Sequence, residues 1–123
     1  MRRILLVDDD AALRKLLCLN LTKMGHSVAE ATNGKEALTT QESDPAELII
    51  TDLIMPEKEG LETIKELRKK YPATKIIAMS GGGRVSAADY LKIAKMLGAD
   101  KVMTKPFSFQ ELADAVAEVL PEA

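Results

Sequence analysis

The feature that most constrains this chain is an alternation between short, almost wholly apolar runs and longer segments whose apolar residues recur at helical spacing. The runs are Ile4-Leu5-Leu6-Val7, Ser27 to Ala31, Leu48-Ile49-Ile50-Thr51, Lys75 to Met79 and Lys101-Val102-Met103. The first, third and fourth are nearly continuous in apolar residues, the composition of strands covered on both faces. Helical stripes follow each run. The first is Leu13, Leu16, Leu17, Leu21 and Met24, closed by Gly25, and the second is a thin one of Ala37 and Leu38 behind an Asn33 cap with Glu36 three residues on. Leu61, Ile64 and Leu67 make a third, ended by Tyr71-Pro72, and Tyr90, Leu91, Ala94 and Leu97 a fourth, ahead of Gly98. Leu112, Val116, Val119 and Leu120 form the fifth, behind the capping-box spacing of Ser108 and Glu111. Five strand-helix pairs joined by right-handed crossovers predict an α/β fold: a doubly wound, five-stranded parallel sheet in the order 2-1-3-4-5, with its ligands at the carboxyl ends of the strands.

Length and composition narrow the function classes. A chain of 123 residues without repeats or a polar spacer is expected to be one domain, residues 1–123, large enough to fold without staples. The single Cys18 has no partner within the chain, which points to a reducing, cytoplasmic setting. Seventeen basic against nineteen acidic residues, with no basic block, argue against direct nucleic-acid binding. No apolar run approaches the roughly 20 residues of a membrane span, and the four apolar residues after Met1-Arg2-Arg3 are too few for a signal peptide, so no membrane association is expected.

The chemistry is expected where the strands end. Strand one runs into Asp8-Asp9-Asp10, strand three reaches Asp52, strand four Ser80, and strand five is followed by Lys105-Pro106. Asp10 reads most simply as a helix cap. Asp8, Asp9 and Asp52 would crowd three carboxylates together, a repulsion that a bound cation relieves. All-oxygen donors select a hard ion such as Mg²⁺, while one Cys and one His argue against a zinc site. A carboxylate can also act as a nucleophile and become an aspartyl phosphate, which requires alignment and positive charge around the phosphoryl oxygens. Asp52, on the central strand, is the candidate nucleophile; Mg²⁺ and Lys105 would supply the charge and Ser80 a hydrogen bond.

Taken together, the Ile4 to Asp10 segment, Thr51-Asp52-Leu53-Ile54-Met55-Pro56 with Gly60, Ser80-Gly81, Gly98-Ala99-Asp100 and Lys105-Pro106-Phe107 resemble the receiver domains of two-component response regulators, including single-domain chemotaxis receivers. The resemblance covers essentially the whole chain. It implies a flavodoxin-like (βα)5 sandwich in which Asp8, Asp9 and Asp52, with the backbone carbonyl of Ile54, hold Mg²⁺. It further implies that Asp52 accepts a phosphoryl group from a sensor histidine kinase or phosphotransfer protein, that Ser80 and Lys105 contact that group, and that the bond before Pro106 is cis. The output would be a changed surface read by a downstream protein or output domain, with no enzymatic turnover beyond the chain's own phosphorylation and dephosphorylation. A receiver belonging to a longer DNA-binding regulator is the open alternative.

Three positions depart from that pattern. Val102 stands where many receivers carry a switching Tyr or Phe, so the moving element is expected instead in Gly81 to Arg84 and the start of the fourth helix near Tyr90. Ala115 replaces a basic residue used by receivers that dimerise through their fourth and fifth helices. The segment from Ser80 to Lys105 is longer than usual. A Mg²⁺-dependent phosphohydrolase with an aspartyl-phosphate intermediate would need a second acid two residues after the nucleophile, and Ile54 cannot serve. A flavin module would need stacking aromatics, which make up 3% of the chain. His26 reads as a surface loop residue without a partner, and Gly81 to Gly83 as a hinge rather than a phosphate loop.

Overall fold

The computed structural model describes residues 2–52, 59–80, 92, 94–96 and 98–120, with the main chain alone at 59–61. In chain order these form β1 (Arg3–Val7), α1 (Ala11–Lys23), β2 (Ser27–Ala31), α2 (Gly34–Ser43), β3 (Leu48–Asp52), α3 (Glu59–Lys70) and β4 (Lys75–Ser80). Helical residues at 92 and 94–96 (α4), β5 (Lys101–Thr104) and α5 (Phe109–Val119) complete the set. All strand pairings are parallel and the order is β2-β1-β3-β4-β5, as the alternating pattern predicts.

Strand periodicity divides the core in two, because successive side chains point to opposite faces. Leu5, Val7, Ile49, Ile76 and Ala78 face α2, α3 and α4, where Ala37, Ile64, Leu67 and Ala94 cover them. Ile4, Leu6, Leu48, Ile50, Ile77, Met79 and Met103 face α1 and α5, under Leu17, Leu21, Leu112, Ala115, Val116 and Val119. Each fully buried leucine or isoleucine contributes about 1.5–3 kcal/mol by leaving water. This explains why β1, β3 and β4 can be nearly all apolar: both faces are dry. Among the described residues no helix is long and apolar enough to cross a membrane.

The helix starts follow their caps. Asp10 accepts from the Ala12 and Leu13 N–H groups at 3.1 and 3.2 Å, so its reading as a cap holds. Asn33 accepts from Glu36 N–H, while the Glu36 carboxylate reaches back to Thr32 N–H at 2.9 Å. Ser108 and Glu111 form a reciprocal capping box.

Three expectations need correction. Leu16, placed on the buried stripe of the first helix, is 54% exposed; at 3.6 residues per turn it stands about 100° from Leu17, and the stripe centres on Leu13, Leu17, Leu21 and Met24. Ala115 is buried against the sheet, so it is not a surface position, and the exposed acids Glu111, Asp114 and Glu118 carry the charge of α5. Glu118 pairs with Lys101 at 2.6 Å. His26 does have a partner: its Nδ1 accepts from Arg2 N–H at 3.4 Å. Partial burial, followed by nearby positive charge including Arg2, holds its imidazole below the ordinary value of 6.5. The thin stripe of α2 is completed by Gln41, a buried polar residue whose amide closes on both the N–H and the carbonyl of Ala46 at 2.8 and 3.1 Å.

At the amino ends of β4 and β5, Arg68 on α3 acts as a clasp. Its guanidinium donates to the carbonyls of Gly98, Pro72 and Thr74 and to Asp100 Oδ2, over 2.7–3.1 Å. Asp100 Oδ2 also accepts from Ile76 N–H, and Asp100 N–H donates to the Ile76 carbonyl. Gly98 has φ +122°, and a Cβ there would lie 2.8 Å from Arg68 Cγ. Because Arg68 is tied down at four acceptors, it cannot swing aside cheaply. Gly98→Ala is therefore expected to cost about 1–3 kcal/mol from backbone strain alone, with the collision added. Gly25→Ala, at φ +94° with nothing within 4 Å, should lose the strain component only. Urea unfolding of both variants checks this ordering.

Candidate functional site

Strand register, not sequence proximity, assembles the site. Val7 pairs with Thr51, Asp52 with Met79 and Ser80 with Thr104. The residues at or just beyond those pairs, Asp8, Asp52, Ser80 and Lys105, therefore meet at one edge of the sheet. β1 and β3 are neighbours, but the chain leaves their carboxyl ends toward opposite faces, into α1 after β1 and into α3 after β3, which opens a crevice between the two strand ends.

Carboxylate oxygens of Asp8, Asp9 and Asp52 lie within 4.8 Å of one another, with Asp8 and Asp52 buried and Asp9 exposed. Asp8 Oδ1 accepts from Asp10 N–H at 2.9 Å. Lys105 Nζ stands between the two buried acids, 3.1 Å from Asp8 Oδ2 and 3.2 Å from Asp52 Oδ2. Burial pushes the Lys105 ammonium down, and the charges of Asp52 and Asp8 more than reverse this, leaving it above the ordinary lysine value of 10.5. The three carboxylates still outnumber the ammonium by two, so the pocket retains an appetite for a cation. The donor set is all oxygen and suits a hard ion. The Ser80 hydroxyl is buried at the same edge and has no hydrogen-bond partner among the described residues. Such groups are uncommon in folded proteins because each lost partner costs about 1–3 kcal/mol. The Lys105-Pro106 bond is cis, as the resemblance implies.

The sequence that carries this acidic pair, central aspartate, hydroxyl and lysine matches the profile of the response regulator receiver domain over residues 4–117. The chain belongs to that family. The receiver is 37% identical over 119 residues to the chemotaxis protein CheY of Thermotoga maritima, covering 96% of this chain and 97% of that protein. It is 34% identical over 120 residues to the alkaline phosphatase synthesis transcriptional regulatory protein PhoP of Bacillus subtilis, covering 97% of this chain and 48% of that protein. Like PhoP, several of the curated relatives are about twice as long as this chain. Among solved structures, the response regulator TrrA of Thermotoga maritima in complex with Mg²⁺-BeF is similar at TM-score 0.85 and 36% identity, covering 98% of this chain and all of that one.

Of the residues singled out from the sequence of this receiver, the structure brings together Asp8, Asp9, Asp52 and Lys105 and places Ser80 at the same edge. Ile54, the Gly81 to Arg84 segment and Tyr90 lie outside the described residues. Val102 is half-buried and packs against the α2-α3 side of the core. Sequence reasoning passed over Arg14, which reaches the Asp8 carbonyl from α1. Its only signal was a charged residue among the apolar positions at the start of α1.

Coulomb energy falls as 1/r, so the two carboxylates within 4.8 Å of Asp52 repel it at least as strongly as Lys105 at 3.2 Å attracts it. Asp52→Asn is accordingly expected to fold and to melt at or above the temperature of the unsubstituted protein at pH 7. The Lys105 contribution to stability is fully present below the ordinary lysine value and is lost as pH rises through the raised one. Removing the Asp52 charge takes away part of that upward push, so the alkaline loss should be smaller and complete at lower pH in Asp52→Asn. Thermal melts between neutral and strongly alkaline pH measure both effects.

Proposed function

We propose that this receiver is a phosphorylation-activated switch in which Asp52 is the phosphoacceptor and Asp8 and Asp9 hold Mg²⁺ beside it. The observation that carries the reading is the single ammonium group of Lys105 set between two buried aspartates, with a third carboxylate within reach and a buried, unsatisfied hydroxyl at the next strand end. A purely structural charge cluster would balance its charges and satisfy its hydroxyl. An incoming phosphoryl group would engage both: its oxygens accept from Ser80 and pair with Lys105. Similarity to TrrA, solved with Mg²⁺-BeF, supports the same reading.

Asp8, Asp9, Asp52 and the Ile54 carbonyl would bind the ion, which when bound neutralises the excess carboxylate charge and the phosphoryl oxygens. An Asp52 oxygen forms a bond to phosphorus as the P–N bond of a donor phosphohistidine breaks; the bonding pair stays on that nitrogen, and the imidazole, already protonated on its other ring nitrogen, leaves as the neutral ring. Lys105 exchanges part of its pairing with Asp52 for the new phosphoryl charge, and Ser80 donates to it. The donor would be a histidine kinase or phosphotransfer protein, and the recipient of the signal a separate protein or an output domain. No other substrate is turned over. The half-length match to transcriptional regulators favours one second reading, a receiver that controls a linked DNA-binding module. The phosphorylation chemistry is the same in both.

Incubation with acetyl phosphate and Mg²⁺ is expected to add the mass of one phosphoryl group, lost in Asp52→Asn and chased off by alkali. Persistent labelling of Asp52→Asn would place the acceptor elsewhere. Mg²⁺ at 100 times its Kd should raise stability by about 2.7 kcal/mol by mass action. Asp9→Ala is expected to flatten that dependence, and equal melting shifts in both proteins would remove Asp9 from the metal site.

A further inference from the structure

Every polar group of Asp8 has a partner. Its N–H donates to the Ala31 carbonyl at 3.1 Å, its Oδ1 accepts from Asp10 N–H and its Oδ2 from Lys105. Its carbonyl accepts from Arg14 Nη1 at 2.7 Å, a charge-assisted bond shorter than the other three. Arg14 is fixed at its other end as well, where Nε donates to Glu30 Oε1 on β2 at 3.0 Å. The Arg14 side chain is only 13% exposed. The guanidinium therefore spans from the edge strand of the sheet to the peptide that joins Asp8 to Asp9.

Asp9 is placed very differently. It is exposed, and among the described residues nothing bonds to its carboxylate. The position of that carboxylate is thus set by the main chain preceding it, and Arg14 holds that main chain.

We propose that Arg14 is a positioning residue for the cation site: it locks the Asp8-Asp9 peptide and so sets where the Asp9 carboxylate stands, while Glu30 holds Arg14 in that pose and offsets its charge. The proposal rests on the reading of Asp8 and Asp9 as Mg²⁺ ligands. Charge and position act in opposite directions here, which makes the role testable. A guanidinium near the site repels a cation, so if its charge were all that mattered, removing it would tighten Mg²⁺ binding. If it positions the ligand, removing it weakens binding, because the loop must then be ordered at the expense of the ion's affinity. Groups that orient a metal ligand without touching the metal typically change affinity by about 10–100-fold.

Calorimetric Mg²⁺ titration of the whole chain distinguishes these cases. R14M is expected to bind Mg²⁺ about tenfold more weakly, at the lower end of that range. R14K, which keeps the charge but cannot bond Glu30 and the Asp8 carbonyl with one planar fork, should weaken binding similarly. E30Q, which leaves Arg14 in place but loosens its anchor, should show a smaller loss in the same direction. In metal-free protein, R14M should speed amide exchange at Asp9 to Ala11 while Leu21 and Ile49 exchange as before; a general loss of structure would move all of them. Unchanged or tighter Mg²⁺ binding by R14M overturns the proposal. Should R14M fail to fold, E30Q decides, and wild-type affinity in E30Q overturns it. A flat titration of the unsubstituted protein overturns the metal reading together with this one, and is told apart from failure of Arg14 alone because the parent itself then binds nothing.

Discussion

The electrostatic demand at one end of the sheet governs much of the rest of this receiver. Asp8 and Asp52 are buried side by side, Asp9 is close, and one ammonium group serves both buried acids. Gathering like charges in a region of low dielectric opposes folding, and the neighbouring hydroxyl of Ser80 adds a donor without a partner among the described residues. A site of this kind persists only where a rigid frame imposes it. Here the frame is a sheet whose central strands are dry on both faces, so that the burial of Ile4, Leu5, Leu6, Leu48, Ile49, Ile50, Ile76 and Ile77 holds the strand ends in register. The unfavourable charge at the edge is a state that a cation and a phosphoryl group would both relieve, which links the instability of the site to its proposed use.

Two arginines tie the helices to the sheet at its opposite ends. Arg68 gathers the amino ends of β4 and β5 and the turn at Gly98 into one clasp, using four acceptors. Arg14 does the corresponding job at the carboxyl end, joining α1, the Asp8 carbonyl and Glu30 on the edge strand. Arg68 donates mainly to backbone carbonyl oxygens, while Arg14 divides its bonds between one carbonyl and the Glu30 carboxylate, uses suited to the planar, multiply donating guanidinium. Lys105 differs in kind. It works as a point charge between carboxylates, and its ammonium is held protonated by them.

Much of this was legible in the sequence, and the reasons are local. Dry strands must be continuous in apolar residues, so β1, β3 and β4 declared themselves. Caps act within four residues, so Asp10, Asn33 and Ser108 marked helix starts that the structure confirms. The acidic pair, Asp52, Ser80 and Lys105 could be nominated because each follows a recognisable strand and the doubly wound topology sends every strand end to the same edge. What escaped notice depended on partners far away in the chain. Gln41 gives no signal in the sequence, its role set by Ala46 and Thr74, and His26 has no evident partner until Arg2 is laid beside it by the pairing of β1 with β2. Leu16 reads as core until the helix is set down and its neighbours at 13, 17 and 21 take the buried side.

Periodicity and residue type by themselves determined the fold class and the identity of the groups at the strand ends, because hydrophobic spacing, capping and right-handed crossovers are properties of short segments of chain. The tertiary structure alone decided how those groups are related: that Lys105 bridges Asp8 and Asp52, that Ser80 is buried without a partner among the described residues, that Asp9 stays exposed and that Arg14 reaches back to the Asp8 carbonyl. Distances between atoms 97 or 53 residues apart follow from strand register and helix placement, which are fixed when the two faces of the sheet are packed. No local rule of sequence specifies them, since the energy that selects them comes from burying the whole core at once.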